Sequence, residues 1–528
     1  MQLERARIAE PVIYQIYVRS FADANGDGMG DLEGVRQRLW HPLRLGADAL
    51  WLTPFFCSPQ RDAGYDVSDY RHVDPLFGTD ADADRLFDDA HRAGLSVVVD
   101  LVPNHTSSDH PWFAALQAGD ESMAARYHLL PGRGPDGAVP PNGWESMFGG
   151  PAWTRLPDGR WYLHLFDSSQ PDLNWANPTV RAEFLDVMGG WLDRGADGFR
   201  VDVAAGLIKA DGYPDVVEDQ PHPYWNRPQV HEIYREWAQL WAQRDRPVFT
   251  MAETWGEPDE VMKFARRDEY DSVFAFRWMR TEFQADALQT EAAAWLAAAQ
   301  DVGALPTWVL GSHDFVRPVT RYGGGLTGLR RARALALVAA ALPGAVCVHQ
   351  GEELGLPEVD VPPALRQDPE FLRTGGAKPG RDGVRVPLPW SGAEPPYGFT
   401  LPDAPAGGAG PGPRQPWLPQ PNEWADLSVA RQWQDTRSTL RLYTDAFALR
   451  RRLLLPAGPQ VRWLDVAHSV MAFERGPVTC WLNTGVEPVA LPSGATVLIR
   501  SDHDVSASQS RSALLNPDCA AWFVGSEM

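Results

Sequence analysis

Three carboxylates in this sequence lie at, or within four residues of, the carboxyl ends of short apolar segments. They are Asp202, Glu253 and Asp314. If the apolar segments are parallel strands of one barrel, their carboxyl ends meet at one face and bring these side chains together. Two carboxyl groups about 5–5.5 Å apart can divide the cleavage of a glycosidic bond, one as nucleophile and the other as acid and then base. The spacing therefore predicts chemistry on a sugar.

Arg200 lies two residues before Asp202, so both side chains face the same side of a strand. A guanidinium there predicts that the pKa of Asp202 is lowered and that the group stays ionised, as a nucleophile requires. Glu253 comes from the next strand and must stay protonated near neutral pH to act as an acid. The alternative is a set of structural ion pairs at the barrel end, which suits one such carboxylate better than three.

The elements that must position these residues are eight apolar segments rich in β-branched and aromatic residues. The segments predicted as buried parallel strands are 12–18, 49–53, 96–102, 198–203, 248–252, 272–276, 307–310 and 345–349. Amphipathic helical patterns such as 79–93, 178–194 and 329–342 lie between them. Eight strand–helix repeats predict an α/β protein built on a (β/α)8 TIM barrel.

Two long stretches interrupt the repeats and set the predicted domains. Residues 104–174 are too long for a plain loop and predict a subdomain inserted after strand 3. Residues 355–421 are a long Gly/Pro segment, and its run at 404–413 predicts an irregular surface loop near the active site, because such a composition cannot build a core. A helical stretch at 427–454 precedes short strands, including 478–482 and 496–499. The predicted domains are a barrel in two parts, 1–103 and 175–454, the subdomain, 104–174, and a C-terminal antiparallel β domain, 455–528.

Composition and charge restrict the partners. The chain has 528 residues, of which 44% are hydrophobic, and this favours a globular protein of several domains. Lys and Arg number 48 against 69 Asp and Glu, and a net charge of −21 disfavours nucleic acid and anionic membranes. A neutral substrate is expected. No apolar signal segment or membrane-spanning stretch is found, so a cytoplasmic location is expected.

Several motifs around these residues occur together and in a fixed order. Four of them resemble the signatures of glycoside hydrolase family 13, the α-amylase family: Asp100-Leu-Val-Pro-Asn-His105, Gly198-Phe-Arg-Val-Asp202, Ala252-Glu253 and His313-Asp314. The segments that resemble the α-glucosidase and oligo-1,6-glucosidase branch are Gln170-Pro-Asp-Leu-Asn174, Tyr14-Gln-Ile-Tyr17, Gly64-Tyr65-Asp66, Gln350-Gly-Glu-Glu353 and Gly380-Arg-Asp-Gly383. The resemblance covers most of the chain.

The resemblance implies a role for each matching position. Asp202 would be the nucleophile, Glu253 the acid/base, and Asp314 the carboxylate that binds hydroxyls of the distorted sugar. Arg200 would orient Asp202. The other implied substrate-binding residues are His105 and His313 at the ring hydroxyls, Tyr65 as a stacking platform, Asp66 and Arg317 closing the non-reducing end, and Phe148 and Phe166. For the two histidines, the alternative is a core residue with satisfied hydrogen bonds.

Two positions bear on specificity. Ser312 stands where the family usually has Asn before the His-Asp pair, and we expect altered local packing without loss of the chemistry. Val203 follows the nucleophile, and Val at this position in the family is associated with tolerance of α-1,6 links. One residue is a weak guide, so the linkage stays open.

A loop after the first strand carries oxygen ligands at alternating positions. The candidate ligands are Asp23, Asn25, Asp27, the carbonyl of Met29, and Asp31. The spacing resembles the first nine positions of an EF-hand loop but lacks the Glu at position twelve, where Gly34 stands. Related enzymes carry this loop with a bound Ca²⁺, so a structural Ca²⁺ is expected, with Mg²⁺ or a plain acidic turn as alternatives. No organic cofactor is expected.

The expected activity is hydrolysis of non-reducing terminal α-glucosyl units of disaccharides or small oligosaccharides, with retention. A transglucosylase, or an isomerase acting on sucrose or trehalose, could use the same intermediate and is the nearest alternative. A non-catalytic barrel, like the ancillary subunits of amino-acid transporters, is disfavoured because all three carboxylates are present. The sequence leaves the oligomeric state open.

Overall fold

The computed structural model describes residues 10–218, 220–404, 415–502 and 514–525. Its central element is a sheet of eight parallel strands: β1 (Val12–Ile16), β2 (Ala49–Leu52), β3 (Ser96–Leu101), β4 (Gly198–Val201), β5 (Phe249–Ala252), β6 (Ser272–Val273), β7 (Thr307–Val309) and β8 (Ala345–His349). They pair in the order β6-β5-β4-β3-β2-β1-β8-β7, and a bridge between Phe274 and Thr307 joins the two ends. The predicted (β/α)8 barrel is confirmed.

Alternation along the strands decides which side chains enter the barrel. One buried cluster fills its interior and includes Ile13, Ala49, Trp51, Val98, Phe249, Met251, Phe274, Val309 and Cys347. Because successive residues of a strand point to opposite faces, the positions two residues further along enter the next layer up. That layer includes Gln15, Asp100 and Glu253. The apolar interior thus ends in polar groups at the mouth of the barrel.

Helices surround the barrel. The five longest are Asp80–Ala93, Pro178–Arg194, Val230–Ala242, Ala285–Val302 and Gly325–Ala341. The shorter ones are Leu32–Gln37, Trp40–Leu45, Pro111–Gln117, Pro258–Val261, Phe276–Arg280, Pro318–Arg321, Pro369–Arg373, Val429–Gln434 and Thr439–Leu449. The predicted helix 178–194 is correct because Asn177 caps its first turn and Gly195 ends it in the left-handed conformation. The sixth strand is shorter than predicted because a helix begins at Phe276.

The stretch between β3 and the helix Pro178–Arg194 contains a small sheet. Its antiparallel strands are Leu129–Pro131, Arg160–Leu163 and Trp153–Arg155, in that spatial order. Trp144 and Trp153 belong to a separate hydrophobic cluster in this region, together with Leu163 and Leu165. The inserted segment therefore has its own small core and lies beyond the carboxyl end of β3.

The segment after β8 is more ordered than the sequence indicated. Within it, Trp390 and Tyr397 are buried, and the Trp390 indole donates to the carbonyl of Phe21 at 2.6 Å. This part packs against the barrel through its aromatic residues. The Gly/Pro run 404–413, for which a surface loop is predicted, lies outside the described residues from 405 onwards, so that prediction stays untested.

The predicted helical stretch 427–454 is interrupted. Its helices are Val429–Gln434 and Thr439–Leu449, followed by a π-helical turn, Arg450–Leu454. Beyond it, five strands form an antiparallel sheet in the order Arg462–Trp463, Val470–Arg475, Val478–Asn483, Cys519–Val524 and Thr496–Arg500, and Val489–Ala490 pairs with Leu514–Leu515. The predicted C-terminal antiparallel sheet is confirmed.

In the four described ranges, no helix combines the length and apolar character needed to cross a bilayer.

Candidate active site

Asp202 and Glu253 meet at one guanidinium. Asp202 follows β4, Glu253 follows β5, and Arg200 lies within β4. Arg200 Nη1 donates to Asp202 Oδ1 at 2.6 Å, and Nη2 lies 3.4 Å from Glu253 Oε2. The same Nη1 donates to Asp100 Oδ1 on β3 at 2.9 Å. Adjacent parallel strands thus bring three carboxyl groups to one cation, as the sequence pattern predicted for Arg200 and Asp202.

Glu253 is held by two further donors. The backbone N–H of Val203 donates to its Oε2 at 2.8 Å, and the indole N–H of Trp255 donates to its Oε1 at 3.3 Å. Val203 has a φ of 50°, which is strained for a β-branched residue. The strained turn directs the Val203 N–H towards the carboxyl group of the neighbouring strand.

The predicted lowering of the pKa of Asp202 is wrong in its net direction. Burial is the largest influence and raises this pKa well above its usual value, and the charges of Glu253 and Asp100 raise it further. Arg200 opposes them but is shared among three carboxyl groups. Burial likewise raises the pKa of Asp100 to about 6, against the opposing charge of Arg200. The cluster therefore retains a proton more readily than isolated carboxylates do.

Asp314, after β7, has the opposite electrostatic setting. Burial opposes its ionisation, but His313 and the guanidinium groups of Arg381 and Arg385 hold its pKa well below the usual range. Arg381 Nη1 and Arg385 Nη2 both donate to Asp314 Oδ1, at 2.9 and 3.0 Å. Its side chain is 27% exposed, compared with 11% for Asp202. Asp314 is thus an ionised acceptor that reaches the barrel mouth.

Tyr65 connects Asp314's surroundings with those of Asp202. Its hydroxyl donates to Asp100 Oδ2 at 2.9 Å, and its ring stacks on His313 with centroids 5.2 Å apart. Arg200 lies 5.9 Å from the centroid of the same ring. His313 covers part of the Tyr65 ring. The aromatic residue predicted as a platform therefore lies within the site and links its two halves.

Asp66 and Arg317, which the resemblance places at the non-reducing end of the substrate, both bind backbone groups in this structure. Asp66 accepts hydrogen bonds from the Ser58 hydroxyl and from the backbone N–H groups of Arg61 and Asp62, so it holds its own loop. Arg317 donates to the backbone carbonyls of the segment after β8, at 3.1 and 2.7 Å. Both side chains lie next to loop segments whose backbone N–H and C=O groups are not paired in helices or sheets. They supply hydrogen-bond partners to those backbone groups.

Asp62 and Arg381 form an ion pair beside Asp314. Arg381 Nη2 donates to Asp62 Oδ1 at 2.7 Å, and its Nε donates to Asp368 Oδ2 at 2.6 Å. Gln170 Nε2 donates to Asp62 Oδ2 at 3.0 Å. Together with its bond to Asp314, Arg381 therefore bridges three carboxylates and closes one side of the site.

The remaining predicted substrate-binding residues lie beside this bridge. His105 Nε2 is 3.1 Å from the carbonyl of Tyr65, and burial lowers the pKa of His105 to about 4, so the ring is neutral at neutral pH. Phe166 packs against His105, with ring centroids 5.2 Å apart, and Phe148 packs against Phe166 at 5.7 Å. Arg381 lies 5.0 Å from the centroid of Phe148. The two phenylalanines thus form an aromatic wall next to the carboxylates.

Ser312 helps to shape the turn after β7. Its hydroxyl accepts from the backbone N–H of Asp314 at 3.2 Å. The altered residue supports Asp314 through a local side-chain-to-backbone bond of the kind that Ser and Asn share.

The loop after β1 carries the five predicted metal ligands, Asp23, Asn25, Asp27, Met29 and Asp31. Asp23 Oδ1 accepts from Gly26 N at 2.6 Å, and Asp31 caps the following helix by accepting from Gly34 N. Across the described part of the chain, no group of three or more His, Cys, Asp or Glu side chains is arranged to hold a metal ion. The oxygen donors suit Ca²⁺ in type, and burial raises the pKa of Asp31 to about 6, a cost that a nearby cation would offset. The metal site stays a prediction.

Sequence reasoning missed four residues of this site. Asp62 precedes the Gly64-Tyr65-Asp66 motif by two residues, and Arg381 and Arg385 lie in or next to the Gly380-Arg-Asp-Gly383 motif. Those motifs were recognised, but the chain offers no local signal that they meet. Trp255 could have been recognised from the sequence, because it lies two residues after Glu253. Residues two apart in an extended backbone face the same side.

A (β/α)8 barrel with carboxylates from β4, β5 and β7 at its mouth, two of them on one guanidinium, defines a barrel hydrolase of the glycoside-cleaving class. The family model described as "Alpha amylase, catalytic domain" matches residues 15–457. A probable alpha-glucosidase of Rhizobium meliloti strain 1021 is 35% identical over 498 residues, 88% of this chain and 86% of its own length. An oligo-1,6-glucosidase of Bacillus sp. strain F5 is 33% identical over 507 residues, 86% of this chain and 96% of its own.

A solved structure has the same fold over nearly all of the chain. The crystal structure of the alpha-glucosyl transfer enzyme XgtA superposes with a TM-score of 0.85 at 33% identity, covering 98% of this chain and 99% of its own. The chain belongs to the α-amylase family, glycoside hydrolase family 13, and is a glycoside hydrolase.

Proposed function

We propose that the protein is a retaining, exo-acting α-glucosidase that removes non-reducing terminal α-glucosyl units from disaccharides and small oligosaccharides. The proposal rests on the pair Asp202 and Glu253 at the Arg200 guanidinium, with Asp314 next to His313, whose ring stacks on Tyr65. Two carboxyl groups at one place can divide double displacement at a sugar, one as the nucleophile and the other as the acid and then the base.

The proposed reaction has two steps. In the first, a carboxylate oxygen of Asp202 attacks C1 of the glucosyl unit, and the C1–O bond to the leaving group breaks. The proton of Glu253 goes to the leaving oxygen. In the second step, Glu253 takes a proton from water, whose oxygen displaces Asp202 from C1 and restores both carboxyl groups. Asp314 accepts hydrogen bonds from sugar hydroxyls as positive charge develops at the ring.

The exo mode of action is supported by the closed side of the site. Arg381 bridges Asp62 and Asp314 and lies over Phe148, and we propose that this bridge blocks further sugar units on that side. Charged groups that are already fixed in place also bind hydroxyls without reorganising. A terminal glucosyl unit therefore fits this end, and the rest of the substrate extends past Glu253.

Transfer to an acceptor sugar or alcohol is the alternative, and one feature favours it. Trp255 is 37% exposed beside Glu253, and its ring stacks on Phe276 at 4.2 Å and packs near Phe315 at 5.4 Å. Arg280 covers Trp255 at 4.5 Å. An aromatic surface next to the acid can hold an acceptor against the glucosyl-enzyme and exclude water. XgtA is described as an alpha-glucosyl transfer enzyme. An isomerase of sucrose or trehalose would use the same step internally.

The loop after β1 is the candidate site for a cation. We propose that the loop 23–31 binds one structural Ca²⁺, supported by its oxygen donors and by the raised pKa of buried Asp31. The cytoplasmic location stays a prediction from the sequence.

The test is product analysis by NMR with maltose, isomaltose and sucrose, each alone and with an added alcohol. Retaining hydrolysis predicts that α-glucose forms first and that little new glycoside accumulates. New α-glucosides as main products would establish transfer instead. The Asp202→Ala variant is the control and should lose turnover while keeping the fold, judged by its circular dichroism. Near-normal turnover of this variant would remove the nucleophile assignment.

A further inference from the structure

Gln15 on β1 contacts His313, which precedes Asp314. The two residues are 298 positions apart, and Gln15 Nε2 lies 2.6 Å from His313 Nδ1. Gln15 is fully buried at the barrel mouth, and among the described residues its Oε1 has no hydrogen-bond partner. The amide side chain is therefore engaged through this single contact with the imidazole.

The other ring nitrogen of His313 faces Asp314. Its Nε2 lies 3.2 Å from Asp314 Oδ2. Asp314 is ionised, because Arg381 and Arg385 each donate to its other oxygen. Among the described residues Nε2 has no hydrogen-bond partner, so Asp314 acts on it through its charge and not through a formed hydrogen bond. A negative charge at this distance favours a proton on the nearer ring nitrogen.

A neutral imidazole has one N–H group, so a protonated Nε2 leaves Nδ1 as an acceptor. Burial lowers the pKa of His313 to about 3, which excludes the doubly protonated ring at neutral pH. Nδ1 then needs a donor, and the Gln15 amide N–H₂ lies against it. The amide N–H₂ of Gln15 thus requires a bare Nδ1, and the charge of Asp314 favours the same tautomer.

Stacking holds the imidazole of His313 in one plane. Tyr17 and Tyr65 stack on His313, with ring centroids 5.7 and 5.2 Å away and interplanar angles of 18° and 9°. The charged and titratable groups that face the ring are Asp314, Arg385, Arg200, Arg381, His349 and these two tyrosines. The ring plane is fixed, and the choice of tautomer is left to the groups at its two nitrogens.

We propose that Gln15 is a positioning residue that fixes His313 in the Nε2–H tautomer, so that this N–H, which has no partner among the described residues, donates to a sugar hydroxyl bound beside Asp314. The part that concerns the sugar rests on the proposed function. The part that concerns the tautomer does not, and the two are tested by different measurements.

The tautomer is tested by ¹⁵N NMR on the full chain labelled at histidine nitrogens. The His313 signals are assigned by their loss in His313→Asn. We expect a protonated Nε2 and a bare Nδ1 in the wild type, and in Gln15→Met a mixture of tautomers. A wild type with the proton on Nδ1, or a Gln15→Met variant with an unchanged tautomer, overturns the proposal. Neither outcome depends on which sugar the enzyme cleaves.

The consequence for turnover is tested with the best substrate from the product analysis. Gln15→Met should lower kcat/KM by about 10- to 100-fold, mainly in kcat, because one oriented hydrogen bond to a reacting centre is lost. Gln15→Glu, which is nearly isosteric, places an acceptor against Nδ1 and should add an ionisation to the pH profile that the wild type lacks. Identical pH profiles for Gln15→Glu and the wild type would contradict the proposal.

A matched control removes a buried glutamine elsewhere. Gln432 lies in a helix after the barrel, where its Nε2 donates to the carbonyl of Leu354 at 2.7 Å. Gln432→Met should lower the melting temperature without changing the His313 tautomer or the shape of the pH profile. If Gln432→Met changes the pH profile as Gln15→Glu does, the effect is structural and the role of Gln15 is refuted.

Discussion

Replacing Arg381 with Met should remove the bridge that closes the site. In the wild type, this guanidinium donates to Asp62, Asp314 and Asp368 at 2.6–2.9 Å. Met keeps most of the length and apolar volume of the side chain but none of its charge. The variant therefore leaves three carboxylates in place, with Arg385 as the cation that still contacts Asp314 and Asp368.

The magnitude follows from the partners that lose their cation. Breaking a buried ion pair typically costs about 3–5 kcal/mol of the free energy of unfolding, because a charge is left uncompensated. Asp62 shows the strain already: burial raises its pKa to about 6, although Arg381 and Arg385 lower it. Without Arg381 the pKa of Asp62 rises further, so Asp62 becomes largely protonated at pH 7.

Activity should fall for the same reason. If two hydrogen bonds to ionised groups are misplaced, at about 1.5–3 kcal/mol each, kcat/KM should fall by roughly 10²- to 10⁴-fold. The assay compares kcat/KM for maltose and the denaturant midpoint of unfolding in the wild type and in Arg381→Met. Adding Asp62→Asn to Arg381→Met should recover part of the stability, since a neutral amide does not need the cation.

The matched control is Arg71→Met. Arg71 pairs with Glu183 and Asp186 at 2.5 and 2.6 Å, but its side chain is 40% exposed, so the loss should stay within about 1 kcal/mol. If Arg381→Met matches the wild type in both kcat/KM and unfolding midpoint, the reasoning about the bridge is refuted. If it unfolds no more readily than Arg71→Met but loses activity, the bridge serves substrate binding alone.

Three further predictions follow from the site and its surroundings. Glu253→Gln should lose most activity on maltose and less on activated aryl α-glucosides, whose leaving groups need no proton; equal losses would argue against an acid role. Removing metal with a chelator should lower the melting temperature, by the equivalent of about 3–4 kcal/mol at saturating Ca²⁺, and an unchanged melting temperature would refute the cation at 23–31. Burial raises the pKa of Glu352 to about 8, so its contribution to stability is complete below the unfolded value near 4.5 and declines as pH rises towards 8. Glu352→Gln should therefore gain about 1–3 kcal/mol relative to the wild type between pH 5.5 and 8, measured by urea denaturation, whereas a gap that does not change with pH would show that Glu352 does not titrate there.

Local patterns in the sequence were enough for the barrel and for the three carboxylates. Asp202, Glu253 and Asp314 each follow a strand that periodicity identifies, and parallel strands of one barrel end at the same face. Strand and helix periodicities are local properties, as are caps such as Asn177 and Gly195. The helix 178–194 was predicted to the residue for that reason.

Those local patterns could not predict contacts between segments that are far apart in the sequence. Arg381 reaches Asp62 across 319 positions, and Gln15 reaches His313 across 298. No periodicity links such pairs, because the loops that carry them adopt conformations set by packing. The backbone N–H groups that donate to Asp66 come from its own loop, and that loop conformation is likewise set by packing. The substrate-binding role of Asp66 stays a prediction.

The sequence by itself determined the strand–helix order, the face on which the catalytic groups gather and the family to which the chain belongs. Only the tertiary structure decided which arginine closes the site and which way the pKa of Asp202 moves. Both depend on burial and on distances of a few ångströms between segments far apart in the chain. The Coulomb energy between two groups varies with their separation and with the local dielectric, and neither quantity is encoded in the spacing of residues along the chain.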